Sequence, residues 1–329
     1  MTLTTAPAPT RPPAGLWGAT PWHRPLLAVA AACLVGAAVA GIGLVADPRL
    51  VTGAPLWAKP IKFFVSIALY ALTLSWMLAL VPRRRVLWWL GTLTALFLVV
   101  EQVIIVGAAV AGTTSHFNVS SPTAAALWGV MGTSITGLWV VALVFGVLLL
   151  RARIADPARA AALRAGLAVA LVGMAEAFLM TSPTAHQLAD PQGVIGAHTV
   201  GVADGGPGLP LLGWSTVAGD LRIGHFVGMH ALQAVPLLLV ALELAATRVA
   251  VLRSVRVRRD LVLVGAAAWL AVTGLLTWQA LRGQSVVAPD AWTVLAAVAV
   301  GVVALGAAVG VLLRGRRSAE VDRVAGSVR

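Results

Sequence analysis

The chain has 329 residues, of which 59% are hydrophobic and only 11% charged, with a mean hydropathy of +0.92, which excludes an ordinary soluble globular protein. A net charge of +12 does not mark a nucleic-acid binder, because the basic residues lie in short connections between apolar runs rather than across one face. The single cysteine, Cys33, excludes an intramolecular disulfide and a thiolate-rich metal site.

The expected fold is all-α: a polytopic transmembrane helical bundle of about eight spans, since each apolar run approaches the roughly 20 residues needed to cross a bilayer. Residues 1–24 are rich in Pro, Ala and Thr and read as a flexible cytoplasmic tail. The apolar run that follows, about 22 residues, is too long for a signal-peptide core and reads as a retained helix. Spans are expected at 25–46, 60–81, 86–111, 124–150, 165–182, 221–246, 261–281 and 291–313. Residues 25–246 form a six-helix core, 247–313 add two peripheral helices, and 314–329 are a basic cytoplasmic tail.

The connections alternate in charge. One set, with the two tails, collects 19 of the 24 basic residues, including Arg83–Arg85, Arg151, Arg153 and Arg256–Arg259. The positive-inside rule makes that side cytoplasmic, with both termini inside a bacterial plasma membrane. The opposite, extracytoplasmic side carries the long loop 183–220, whose apolar segment Leu209–Trp214 suggests a cap folding back on the membrane. Asn118-Val119-Ser120 matches a glycosylation sequon, a pattern common by chance.

Polar residues inside spans are functional candidates by default. Both lysines of the chain, Lys59 and Lys62, open the second span against the topological charge bias. With Ser66 and Tyr70 they form a stripe at helical spacing, Thr73 lying close to the same face. The stripe reads as a substrate-binding rim for a carboxylate or other anionic small molecule; snorkelling to headgroups is the competing account. Glu101, beside Gln102, lies deep in the third span, and Glu176 in the fifth, where a carboxylate must be neutral, paired or metal-bound. His116 lies in a polar cluster past the outer end of the third span.

The densest group is Asp220-Leu221-Arg222-Ile223-Gly224-His225-Phe226-Val227-Gly228-Met229-His230-Ala231-Leu232-Gln233. His225 and His230 are five apart, roughly 140° around the helix, so they would join ligands from other helices rather than chelate one ion together. Gly224 and Gly228 would let another helix approach closely. Asp220, Arg222 and Gln233 complete the candidate binding residues, Glu101, Glu176 and His230 the candidate catalytic ones, and His116, His225, His230 and Glu101 the candidate metal ligands.

At WAKPIKFFVSIALYALTLSW, SHFN and DLRIGHFVGMHALQ the chain resembles a family of uncharacterised multi-pass bacterial membrane proteins, over about residues 45–240. The resemblance implies that the three stretches belong to one assembly and supplies no catalytic residue. The first functional expectation is an outward-facing His/Glu/Lys site holding zinc, iron, copper or haem for hydrolytic or redox chemistry. The alternatives are a proton-coupled or anion transporter and an accessory subunit of a membrane complex. In every case the bilayer is a partner and nucleic acid is not.

Overall fold

The computed structural model describes residues 21–81, 84–190 and 192–327. It is an all-α polytopic bundle, with α1 Arg24–Ala46, α2 Ala58–Ala79, α3 Arg84–Val110, α4 Pro122–Arg151 and α5 Pro157–Ala175. Two short helices follow, α6 Phe178–Thr181 and α7 Ala185–Ala189, then α8 Leu221–Met229, α9 Ala231–Ala245, α10 Val255–Leu281 and α11 Ala291–Ser327. Among the described residues seven helices are long and apolar enough to cross a membrane, or eight if α8 and α9, bent by 44° at His230, are counted as one span.

Local chemistry fixes the helix starts. Ser121 and Asp156 accept hydrogen bonds from the first backbone N–H groups of α4 and α5, and each is followed by a proline whose missing N–H costs nothing there. Buried His23 caps α1 through Nδ1 and places Nε2 3.0 Å from the Trp88 carbonyl, so the ordered bundle begins before the expected end of the tail. The remainder of the 1–24 tail, up to residue 20, lies outside the described residues.

Several spans begin earlier than hydropathy suggests. α5 starts at Pro157 instead of 165 because Arg159 and Arg164 have partners within the bundle. Arg159 pairs with Glu243 of α9 at 3.2 Å, and Arg164 donates to the Leu149 and Ala152 carbonyls that end α4. α10 starts at Val255 rather than 261, Arg258 donating to the carbonyls of Leu252 and Arg253. α11 continues through the expected tail to Ser327. α10 packs on α5, α8 and α9 with Val262, Ala266 and Thr273 buried, and α11 lies against α10.

The main core joins α1–α5 around Ala71, Met77, Phe145 and Leu149, and a second core joins α5, α9 and α10 around Val235 and Val262. Helices α5 and α8 meet backbone to backbone. A Cβ on Gly173 would lie 2.3 Å from the Gly228 carbonyl carbon, and one on Gly228 2.6 Å from the Gly173 Cα. The expected close approach at Gly228 is therefore made by α5, while Gly224 receives side chains, Thr277 from α10 and Glu176.

Hydrogen bonds gather residues 47–57, 111–121, 182–190, 192–220 and 282–290 at one end. Two antiparallel pairs, β1 Leu50–Val51 with β2 Ala54–Pro55 and β3 Thr199–Val200 with β4 Gly219–Asp220, stiffen this end. Asn118 bridges to Val194, Arg49 donates to the Val110 carbonyl, and Ser285 donates to the Ser215 carbonyl. Among the described residues the long loop is hydrogen-bonded to the other connections at this end, and we refer to it as the lid.

Candidate functional site

Three expected site residues come together beneath that lid. Lys59, in the first turn of α2, places Nζ 3.1 Å from His116 Nδ1, and His116 Nε2 lies 3.6 Å from Oε1 of Glu101 on α3. As an ammonium Lys59 would donate to Nδ1, which would leave the His116 proton on Nε2, facing Glu101 at a distance slightly beyond a hydrogen bond. Ser115 Oγ also lies 3.0 Å from Nδ1. Glu101 is 2% exposed, and its second oxygen has no protein partner.

The loop carrying His116 is rigidly built. Asn118 donates to Thr113 Oγ1 and the Thr114 carbonyl and accepts from the N–H and hydroxyl of Ser120. That buried amide is a scaffold, which removes the sequon as a glycan site. Phe117 adopts φ +63°, costly for a residue with a side chain, and its ring joins Phe63 and Trp128 in an aromatic wall around His116. Burial, then the charges of Lys59 and His198, push the His116 pKa well below its ordinary value, which keeps the imidazole neutral.

Further residues hold the lid. Lys62 Nζ donates to the Leu212 carbonyl at 2.8 Å, and Arg222 Nη2 donates to the Gly213 carbonyl at 2.6 Å. Asp220, 1% exposed, caps α8, pairs with Arg222 and accepts the Ser215 N–H. These three residues, expected to bind substrate, fasten the loop. Nearby, Asp204 accepts from the His198 and Thr199 N–H groups, the Thr199 hydroxyl and His198 Nδ1. Burial alone would raise the Asp204 carboxyl, but these bonds and the His198 charge hold it below the usual carboxylate range. Burial lowers the His198 pKa, opposed by the Asp204 carboxylate, whose oxygen lies 2.6 Å from His198 Nδ1. The His198 ring packs 4.8 Å from Phe117, joining the lid to the His116 wall.

The other candidates are deployed elsewhere. His225 Nδ1 lies 2.7 Å from the Gly173 carbonyl and ties α8 to α5. His230, at the α8/α9 break, bonds Gln233, which donates to Thr73 of α2. Glu176 ends α5 above Gly224, with Oε2 buried and unpartnered. Tyr70 packs in the main core, and among the described residues neither Ser66 nor Tyr70 finds a side-chain hydrogen-bond partner.

The four expected metal ligands are consequently divided. His116 meets Glu101, while His225 and His230 each bond within their own surroundings, and among the described residues no three His, Cys, Asp or Glu side chains gather as a metal-binding group. Sequence reasoning missed the aromatic wall and the partner of Gly228; Gly173, a glycine inside an apolar span, was the signal for the latter. No protein-family model, no curated protein and no solved structure matches this chain.

Proposed function

We propose that this is a membrane-embedded binding and proton-transfer site beneath a lid, in which Lys59, His116 and Glu101 act on a small molecule bearing an anionic group. The supporting observation is the contact chain Lys59–His116–Glu101, half-buried at Lys59 and His116 and fully buried at Glu101. A neutral imidazole bracketed by an ammonium and a carboxylate can relay a proton between them, which suits general acid–base work. Lys62 would meet the anionic group when it leaves the Leu212 carbonyl, since Arg222 is already paired with Asp220. The divided donor set gives a metal or haem less support than proton chemistry.

On this reading the lidded end is extracytoplasmic. The arginine-rich connections after α4 and α9 lie at the opposite end, and the positive-inside rule assigns that end and both termini to the cytoplasm of a bacterial inner membrane. Cysteine substituted at Gly206 on the lid should react with an impermeant maleimide in intact cells, whereas reaction only after lysis would reverse the assignment.

The function is tested by titrating purified protein with acetate, succinate and inorganic phosphate while following tryptophan fluorescence and thermal unfolding. Saturable binding that weakens at least tenfold in Lys62→Met and changes its pH profile in His116→Gln is expected. No response to any of the three, or equal responses in the variants, would defeat the reading.

A further inference from the structure

The break between α8 and α9 places a second polar group deeper in the bundle. His230 stands at the bend, and Pro236, one and a half turns on, has no N–H to offer the Leu232 carbonyl. Broken spans are where membrane proteins commonly build binding groups. His230 Nδ1 lies 3.2 Å from Gln233 Oε1, and Gln233 Nε2 donates to Thr73 Oγ1 at 3.2 Å.

This short chain fixes which His230 nitrogen carries the proton. The Thr73 hydroxyl proton is committed to the Leu69 carbonyl at 2.8 Å, so Thr73 Oγ1 faces Gln233 as an acceptor. The Gln233 amide must therefore turn its NH₂ toward Thr73 and its carbonyl toward His230. That carbonyl requires a donor, which puts the imidazole proton on Nδ1. Nε2 is left as a bare lone pair, buried and without a partner among the described residues, and the imidazole and Phe226 ring centroids lie 4.3 Å apart. A proton there would find no acceptor, a costly arrangement in apolar surroundings.

We propose that His230 Nε2 is a hydrogen-bond-accepting subsite for a hydroxyl-bearing ligand, at the inner end of the α2 stripe that begins with Lys59. Lys59, Lys62, Ser66, Tyr70 and Thr73 share one face of α2, so a row of polar side chains runs from the lidded site to the Thr73–Gln233–His230 chain. The inference rests on the lidded-site reading for access from the Lys59 end. The lone pair selects its partner by chemistry: it binds a group with a proton to give and rejects an ether of the same size.

The test is nitrogen NMR of the purified full chain labelled at histidine, with His230 assigned through His230→Gln. Where that variant does not fold, Gln233→Leu identifies the same ring by perturbing the group it touches. The wild-type ring should show the Nδ1–H tautomer. Its Nε2 resonance should move saturably with n-butanol and stay fixed with diethyl ether, an isomer lacking the hydroxyl. A protonated Nε2, no response to n-butanol, or an equal response to the ether would overturn the proposal. Tyr70→Phe should leave the Nε2 resonance unmoved; a change would identify Tyr70 as the partner and also overturn it. If the anion titrations fail while the n-butanol response stands, the outer site alone is refuted. The opposite result refutes only the inner one.

Discussion

Lys59 Nζ and His116 Nδ1 lie 3.1 Å apart although 57 positions separate them in the chain. The contact joins the first turn of α2 to the loop after α3 and turns the other face of the imidazole toward Glu101. Removing the ring while keeping its neighbours should therefore be costly. His116→Leu leaves the half-buried Lys59 Nζ without its imidazole partner, and a loss of about 1–3 kcal/mol is expected for an unsatisfied polar group. The double variant Lys59→Met/His116→Leu should lose less than the sum of the single variants, because the contact they share is removed once. Thermal unfolding in detergent measures both; strict additivity would show that the contact carries no energy.

Stability should fall below neutral pH. The folded chain holds the His116 pKa below that of the unfolded chain, about 6.5. Below that pH the unfolded state binds a proton that the folded state refuses, so the contribution is fully present above about 6.5 and declines as the pH drops. His116→Gln should flatten this part of the pH–stability curve. An unchanged slope would mean that His116 titrates normally. Asp204, also held below its ordinary value, adds a loss only below about 3.9.

The lid should loosen when its pins are cut. Lys62→Met and Arg222→Met each release one of two adjacent carbonyls, Leu212 and Gly213, so hydrogen exchange over residues 208–215 should quicken while α3 and α4 stay protected. Asp220→Ala should be the more damaging substitution. It removes the α8 cap, worth about 1 kcal/mol, and also strips the Arg222 pair and the Ser215 bond. Uniform exchange in wild type and variants would show that the loop is held by something other than these side chains.

Two glycines in spans should respond in opposite ways. Gly173→Ala drives a methyl into the Gly228 backbone, which cannot swing aside, and should prevent α5 and α8 from docking. Gly107→Ala meets nothing within 4 Å on α3 and should be neutral or stabilising by up to about 1 kcal/mol through helix propensity. Folded yield and melting temperature separate the two. A tolerated Gly173→Ala would mean that the crossing is looser than described.

How much of this was legible in the sequence follows from the range of the forces involved. Hydropathy acts along a continuous stretch, so the all-α bundle and the location of its spans could be read from residue order. The caps at Ser121 and Asp156, each followed by proline, are equally local. Helix starts at Pro157 and Val255 were not legible, because arginine looks like a loop residue until a partner such as Glu243 is known to reach it. Polar residues announced themselves as exceptions within apolar runs, which marked Lys59, Glu101, His116 and His230 as notable.

The sequence could not say which of them meet. Asp220, Arg222 and Lys62 looked like binding groups, yet the folded chain uses them to fasten its own loop, and His225 clamps two helices. Whether a polar side chain is free or satisfied depends on atoms brought from distant segments. Residue order therefore determined the bundle and the roster of costly polar groups. Only the tertiary structure decided that Lys59, His116 and Glu101 form one chain while His230 stands apart, because hydrogen bonding acts over about 3 Å of space and sequence separation carries no such distance.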